Sequence, residues 1–275
     1  MVSPRERRYR GVVANGFRDH FSGVAGAYRA FRPGYPPELF AWLASIVPAH
    51  GAALDCGCGN GQASVALAEH FSAVFAVDPG AEQIRHAAPH PRVEYRVAPA
   101  EATGLPQGSV DLVVAAQALH WFDLDRFYPE VRRVARAGAA LAAFTYGLLT
   151  VDERVDAVIA RLYRGILRDD WPPERAHVDA GYRTLPFPFA ELAAPRFGIS
   201  EEWTLDRLVG YIGTWSGVNA HRERTGRDPL EEIGPALRGA WGPPAEPRRV
   251  SWPLALRVGG IDPAGDLSLT KENRS

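Results

Sequence analysis

An α/β fold, with a doubly wound and mostly parallel sheet carrying helices on both faces, is what the chain predicts, and three observations predict it. Strand-like and helix-like stretches alternate from residue 37 to residue 147. The strand-like stretches are apolar throughout instead of alternating apolar with polar, which is how strands covered on both faces read. One of them, Ala52 to Leu54, runs through Asp55-Cys56-Gly57-Cys58-Gly59-Asn60-Gly61 directly into an Ala-rich helix.

Each element has its own justification. Residues 37–47 place Leu39, Trp42, Leu43 and Ile46 on one helical face, and Pro36 and Pro37 suit a first turn. After the strand at 52–54, Gln62 to His70 reads as helix and Ser72 to Val77 as a second strand, closed by Asp78-Pro79-Gly80. Ala81 to Ala88 is helical, Val93 to Val97 a third strand and Val110 to Ala116 a fourth. Leu124 to Ala135 is a helix, then Gly138 leads into a fifth strand, Ala140 to Tyr146. Beyond Gly147 the rhythm changes. Val151 to Asp170 predicts one long amphipathic helix. Trp171 to Phe189, rich in Pro and aromatics, reads as the packing of a lid or insertion. Ile199 to Thr204 is a possible strand, Leu205 to Trp215 a helix, and 217–247 polar helix or loop. Val250 to Val258 reads as a strand whose internal Pro253 argues for an edge position.

The totals exclude several classes. The 275 residues, 46% hydrophobic, suit one large domain or a domain with a sizeable insertion. A net charge of −1 with both signs scattered gives no support to a nucleic-acid partner. No apolar run reaches the roughly 20 residues that cross a bilayer. The charged start, lacking an apolar stretch, does not read as a secretory signal, so a cytoplasmic location is expected. Cys56 and Cys58, the two cysteines, are too few for a structural zinc site and fit a disulfide poorly. The histidines suggest no metal-ligand set, and no Gly-x-Ser-x-Gly elbow points to a hydrolase.

A strand that ends in glycines and enters a helix makes a bed for a nucleotide-like ligand, because Gly lets the ligand approach the backbone closely. Asp78 ends the next strand, beside that loop, where a carboxylate can accept from both hydroxyls of a ribose. The loop reads G-x-G-x-G, not the G-x-G-x-x-G of a dinucleotide site. Asp55 would repel a pyrophosphate but suits an ammonium, which favours an adenosine bearing an amino acid over NAD.

The segments LDCGCGNG, AVDPGAEQI, VAPAEATGLP and SVDLVVAAQALHWFD, in that order, resemble the class I S-adenosylmethionine-dependent methyltransferases. More narrowly, FSGVAGAYRAFRPGYPPEL, QALHWFD, LVGYIGTWSGV and VSWPLALRV are similar to the methyltransferase type 11, trans-aconitate methyltransferase-like group. The resemblance implies a Rossmann-like sheet of seven strands, five parallel and the last antiparallel, and S-adenosyl-L-methionine as cofactor. It implies that Gly57, Cys58, Gly59 and Gly61 surround the methionine part, with Asp55 near its ammonium. Asp78 would bind the ribose, Pro79 and Gln83 would flank the adenine, and Ala100 and Glu101 would close its other edge. Gln117 would lie under the sulfonium beside His120 and Trp121. Gly80 and Gln83 depart from the family, where Ser and Met are common.

Methyl transfer from a sulfonium needs alignment more than activation, so a carboxylate acceptor requires no base, whereas a phenol or carbon acid usually does. Arg32 could pair with a substrate carboxylate, and Tyr28, His120, Trp121, Tyr146 and Trp215 are candidates to shape the acceptor pocket. His120 could instead be a base. The expectation is O-methylation of a small carboxylate. The alternatives are C-, N- or phenol O-methylation of a secondary metabolite, or cofactor binding without catalysis. The expected organisation is an N-terminal cap (1–36), a cofactor-binding core (37–147), an acceptor-covering insertion (148–248), and a final edge strand with a tail (249–275). A small-molecule acceptor is the expected partner, with neither nucleic acid nor membrane, and the chain as a monomer or homodimer.

Overall fold

The structure, a computed structural model, describes residues 31–262. Tyr28, most of the cap segment and the tail beyond residue 262 lie outside the described residues. Helix α1 (Pro37–Ser45) opens on a proline and buries Leu39, Phe40 and Leu43. The strands β1 (Ala52–Cys56), β2 (Ala73–Asp78), β3 (Val93–Val97), β4 (Val110–Ala116) and β5 (Ala135–Tyr146) pair in parallel in the order β3-β2-β1-β4-β5. Helices α2 (Gln62–Ala68), α3 (Ala81–Arg85) and α4 (Leu124–Val134) connect them.

Every residue of β1 and all but the last of β4 are buried, which is why neither shows a polar alternation. Successive side chains still divide between two faces. Leu54, Cys56, Val113, Ala115, Leu141 and Ala143 pack with Phe127 and Val131 of α4 on one face. Ala53, Leu112, Val114 and Ala142 pack with Leu39 and Leu43 of α1 and Leu67 of α2 on the other.

After β5 come α5 (Glu153–Arg161), a π-helical turn (Leu162–Ile166), α6 (Arg175–Asp179), β6 (Ala190–Glu191) and β7 (Gly198–Trp203). Then follow α7 (Leu205–Gly213), α8 (Ser216–Thr225), α9 (Pro229–Trp241) and β8 (Arg248–Gly260). The expected single helix over 151–170 is therefore broken. It stops at Arg161, and the wider π turn carries the chain to Ile166. The polar stretch 217–247 is two helices, each ending at a glycine: Gly226 after α8 and Gly242 after α9.

The strand β8 runs antiparallel to β5, and β6 lies beyond it, so seven strands form the continuous path and β7 is an eighth paired to β8. The edge position expected for β8 is overturned: Leu254 to Gly260 pair with β5, while β7 and β6 pair along its length. Pro253 is tolerated for a local reason. Ser251 exchanges both backbone bonds with Thr150, whereas the Leu254 amide donates to Phe197 O. Strand alternation therefore puts the Pro253 nitrogen on the flank of Ser251, facing residues 147–149, where the chain after β5 has left the ladder. The first half of β8 contributes Val250 and Trp252 to a third core, with Trp203, Leu208, Tyr211, Trp215, Ile159, Leu162 and Leu237.

Candidate active site

The carboxyl ends of β1, β2 and β4 meet at the glycine loop. The amides of Gly57 and Cys58 donate to Val77 O at 2.8 and 3.0 Å, which ties the loop to the end of β2. Gly61 turns into α2 at φ +86°, and a Cβ there would come within 2.1 Å of the Tyr95 hydroxyl. Gly59 also has a positive φ, yet a Cβ on it would meet nothing within 4 Å, so this glycine faces open space. Asp78, almost buried, receives the Gly59 amide on Oδ2 at 2.9 Å and the Gly80 amide on Oδ1 at 2.8 Å. Gln83 and Ala100 are buried, and Glu101 accepts the Asp123 amide at 2.8 Å, which anchors the start of α4.

Asp55 is fully buried. Its Oδ2 accepts from Ser64 Oγ at 2.6 Å, and its Oδ1 has no hydrogen-bond partner among the described residues. Burial pushes its carboxyl up to about 7, against which the Ser64 hydroxyl works, while the charge of Asp78 adds to the rise. A buried, half-satisfied carboxylate beside an open glycine fits a cationic group, so the residues present suit an amino-acid-bearing nucleoside. Cys56 and Cys58 are free, buried thiols, held protonated by burial and the neighbouring acids.

Next to this bed lies a cleft of about 640 Å³, counted to its solvent-open mouth. It brings together Arg32, Gln117, His120, Trp121, Tyr146 and Trp215, all marked by the sequence. Gln117 ends β4 at φ +55°, an unfavourable backbone for a side chain of its size. It is held there by its amide bonding to Phe144 O at 2.8 Å, by Nε2 donating to Tyr146 O at 3.0 Å, and by the Thr145 hydroxyl donating to Oε1. Tyr182, at φ +62°, is the other non-glycine residue with positive φ among the described residues, and it too converges here. Its hydroxyl and His120 Nδ1 share a hydrogen bond of 3.0 Å. Burial, reinforced by Arg175 and His177, lowers the His120 pKa to about 3, so the imidazole is neutral at physiological pH. Arg32 donates through Nη1 to the Tyr146 hydroxyl at 3.5 Å and stacks 5.3 Å from the Tyr211 ring centre.

Sequence reasoning missed Trp171 and Arg175, which also line the cleft, together with Tyr163 and Tyr182 behind them. The Pro- and aromatic-rich stretch from 171 read as mere packing, and its Arg175 carried no motif. Among the described residues no group of three His, Cys, Asp or Glu could hold a metal, and no helix is long and apolar enough to cross a membrane.

A Rossmann-like sheet with a glycine loop after its first strand, an acid ending its second and a cleft over its fourth and fifth has the arrangement in which open α/β sheets take a nucleoside-like ligand at the carboxyl ends of their strands. A family profile described as a methyltransferase domain matches residues 54–143. A methyltransferase of Dictyostelium discoideum is 35% identical over 233 residues, covering 82% of this chain and 87% of the relative. An uncharacterized methyltransferase of Mycobacterium tuberculosis is 38% identical over 187 residues, 67% of this chain and 70% of its own. A solved structure described as a type II methyltransferase, from Anaeromyxobacter dehalogenans, is 65% identical with a TM-score of 0.80, covering 84% of this chain and 98% of that one. The chain belongs to the class I S-adenosylmethionine-dependent methyltransferases.

Proposed function

We propose that the enzyme transfers the methyl group of S-adenosylmethionine to a carboxylate oxygen of a small anionic metabolite. One observation carries this reading: the cleft is lined by two guanidiniums, Arg32 and Arg175, with no carboxylate among its described lining residues, while its one imidazole is held far below neutrality. A carboxylate oxygen attacks without losing a proton. The products would be a methyl ester and a thioether that keeps the electrons of the broken C–S bond. A phenol or carbon acid usually needs a base, and His120, with a pKa of about 3, is too weak to serve as one.

The cofactor, when bound, supplies an electrophilic methyl group on a sulfonium. On this reading Asp78 holds the ribose and Asp55 the ammonium, along the bed of Gly57, Cys58, Gly59 and Gly61. Pro79, Gln83, Ala100 and Glu101 enclose the adenine. Gln117, pinned by three hydrogen bonds, presents a fixed floor near the transferring carbon, and Arg32 orients the acceptor beside His120, Trp121, Tyr146 and Trp215. Tyr28, in the same role, falls outside the described residues. Residues 37–147 would then serve as the cofactor core and 148–248 as the acceptor cover.

The test is a panel of mono-, di- and tricarboxylic acids, phenols and amines with isotope-labelled methyl donor. Label is expected in base-labile esters of acids, and Arg32→Ala is expected to lower kcat/KM by about 100-fold, as loss of a charged hydrogen-bonded pair would. Label confined to phenols or amines would refute the carboxylate reading.

A further inference from the structure

Arg175 reaches the cleft from α6, an element with no counterpart in the cofactor bed. Its Nε donates to the Tyr163 hydroxyl at 2.5 Å and lies 3.3 Å from Asp179 Oδ1. Its guanidinium carbon is 5.3 Å from the ring centres of both Tyr163 and Trp171. Tyr163 is itself fixed: its hydroxyl donates to Asp179 Oδ1 at 2.7 Å, and its carbonyl accepts Trp171 Nε1 at 2.9 Å from within the π-helical turn. The guanidinium is thus gripped along its Nε edge and between two rings. Its Nη1 and Nη2 donate to no group among the described residues, on a side chain that lines the cleft.

A structural role explains this poorly. The Asp179 side chain is 46% exposed, and such a pair contributes little to stability. A planar fork with one edge immobilised and two donors uncommitted is built to take an anion. Arg32 already supplies one positive charge to the same cleft. Esterification removes the charge of the attacked carboxylate. A guanidinium on that group would therefore favour the bound substrate over the transition state, whereas one on a spectator anion keeps its ion pair throughout.

We propose that Arg175 binds a second anionic group of the acceptor, one that is not methylated, and so sets a preference for acceptors bearing two such groups. This rests on the carboxylate reading above. The experiment takes the best diacid found in the panel and its monoamide, which has the same skeleton with one carboxylate neutral. Both are assayed with the wild-type enzyme, Arg175→Gln and Arg175→Lys. The wild type is expected to favour the diacid at least tenfold in kcat/KM, chiefly through KM. Arg175→Gln is expected to erase that preference while leaving the monoamide within about twofold, and Arg175→Lys to keep part of it. Calorimetry with S-adenosylhomocysteine checks that each variant is folded, with unchanged affinity expected. Equal losses on both acids in Arg175→Gln, a preference that survives it, or wild-type turnover of monocarboxylates alone would each overturn the assignment while sparing the carboxylate reading. Turnover of no acid at all sinks that reading, and this one with it.

Discussion

Asp55 and His120 are titratable groups at opposite ends of one site, and burial moves them in opposite directions. Asp55 has a folded pKa of about 7, above its ordinary 3.8, so the stability it contributes is complete below about pH 4 and is lost as pH rises through 7. His120, lowered from 6.5 to about 3, contributes stability that is complete above pH 6.5 and falls as pH drops towards 3. Substituting Asp55→Asn isolates the first effect, because the His120 contribution is common to both proteins. The melting temperature of the ligand-free variant minus that of the wild type should rise from pH 5 to about pH 7 and level off above it. A flat difference would mean that Asp55 is not a strained acid. Part of the candidate site's geometry was legible at this scale. Gly57, Gly59, Gly61 and Asp78 sit at fixed spacings along adjacent strands, so local sequence contains their geometry. Arg175 meets Tyr163 and Trp171 only because a π turn and a short helix fold back, and no spacing encodes that.

Among elements, the glycine loop places a tightly enclosed glycine and an open one within three residues. Gly61 has both a left-handed backbone and a neighbour at 2.1 Å, while Gly59 has the backbone but open space. Gly61→Ala should therefore cost about 2 kcal/mol or more in urea unfolding, with partial relief in combination with Tyr95→Phe. Gly59→Ala should cost about 1 kcal/mol in stability, yet weaken S-adenosylhomocysteine binding by calorimetry at least tenfold. A stable Gly61→Ala that binds normally would contradict the close approach. The strands β1 to β5 were readable because burial on both faces leaves an unbroken apolar run. The two-residue β6, exposed throughout, offered no such signal, and the helix expected over 151–170 hid its break because the π turn keeps its apolar face inward.

Across the molecule, β8 belongs to two packing systems. Its second half completes the sheet against β5, and its first half carries Trp252 into the core beneath the cleft. Trp252 is fully buried, with ring centres 4.9 Å from Trp203, 5.5 Å from Tyr211 and 6.3 Å from Tyr146, the last two lining the cleft. Trp252→Ala should destabilise the chain by about 3–5 kcal/mol. In the folded fraction it should raise the acceptor KM several-fold more than it weakens S-adenosylhomocysteine binding. Parallel losses of both would show that the two halves do not separate. That β8 would be antiparallel followed from the resemblance to the methyltransferases. That it would be interior was not legible, because the argument from Pro253 assumed an unbroken neighbour on each flank, and the chain leaves β5 opposite that residue.

Arg257 of this same strand donates to the carbonyls of Tyr182 and Leu185, riveting the stretch behind His120 to the sheet. During synthesis, residues 52–146 precede the rivet by more than a hundred residues, and on the proposed assignment they carry most of the groups that would bind the nucleoside. On that assignment, a nascent chain would then hold its methyl donor before the chamber for the molecule to be methylated is complete.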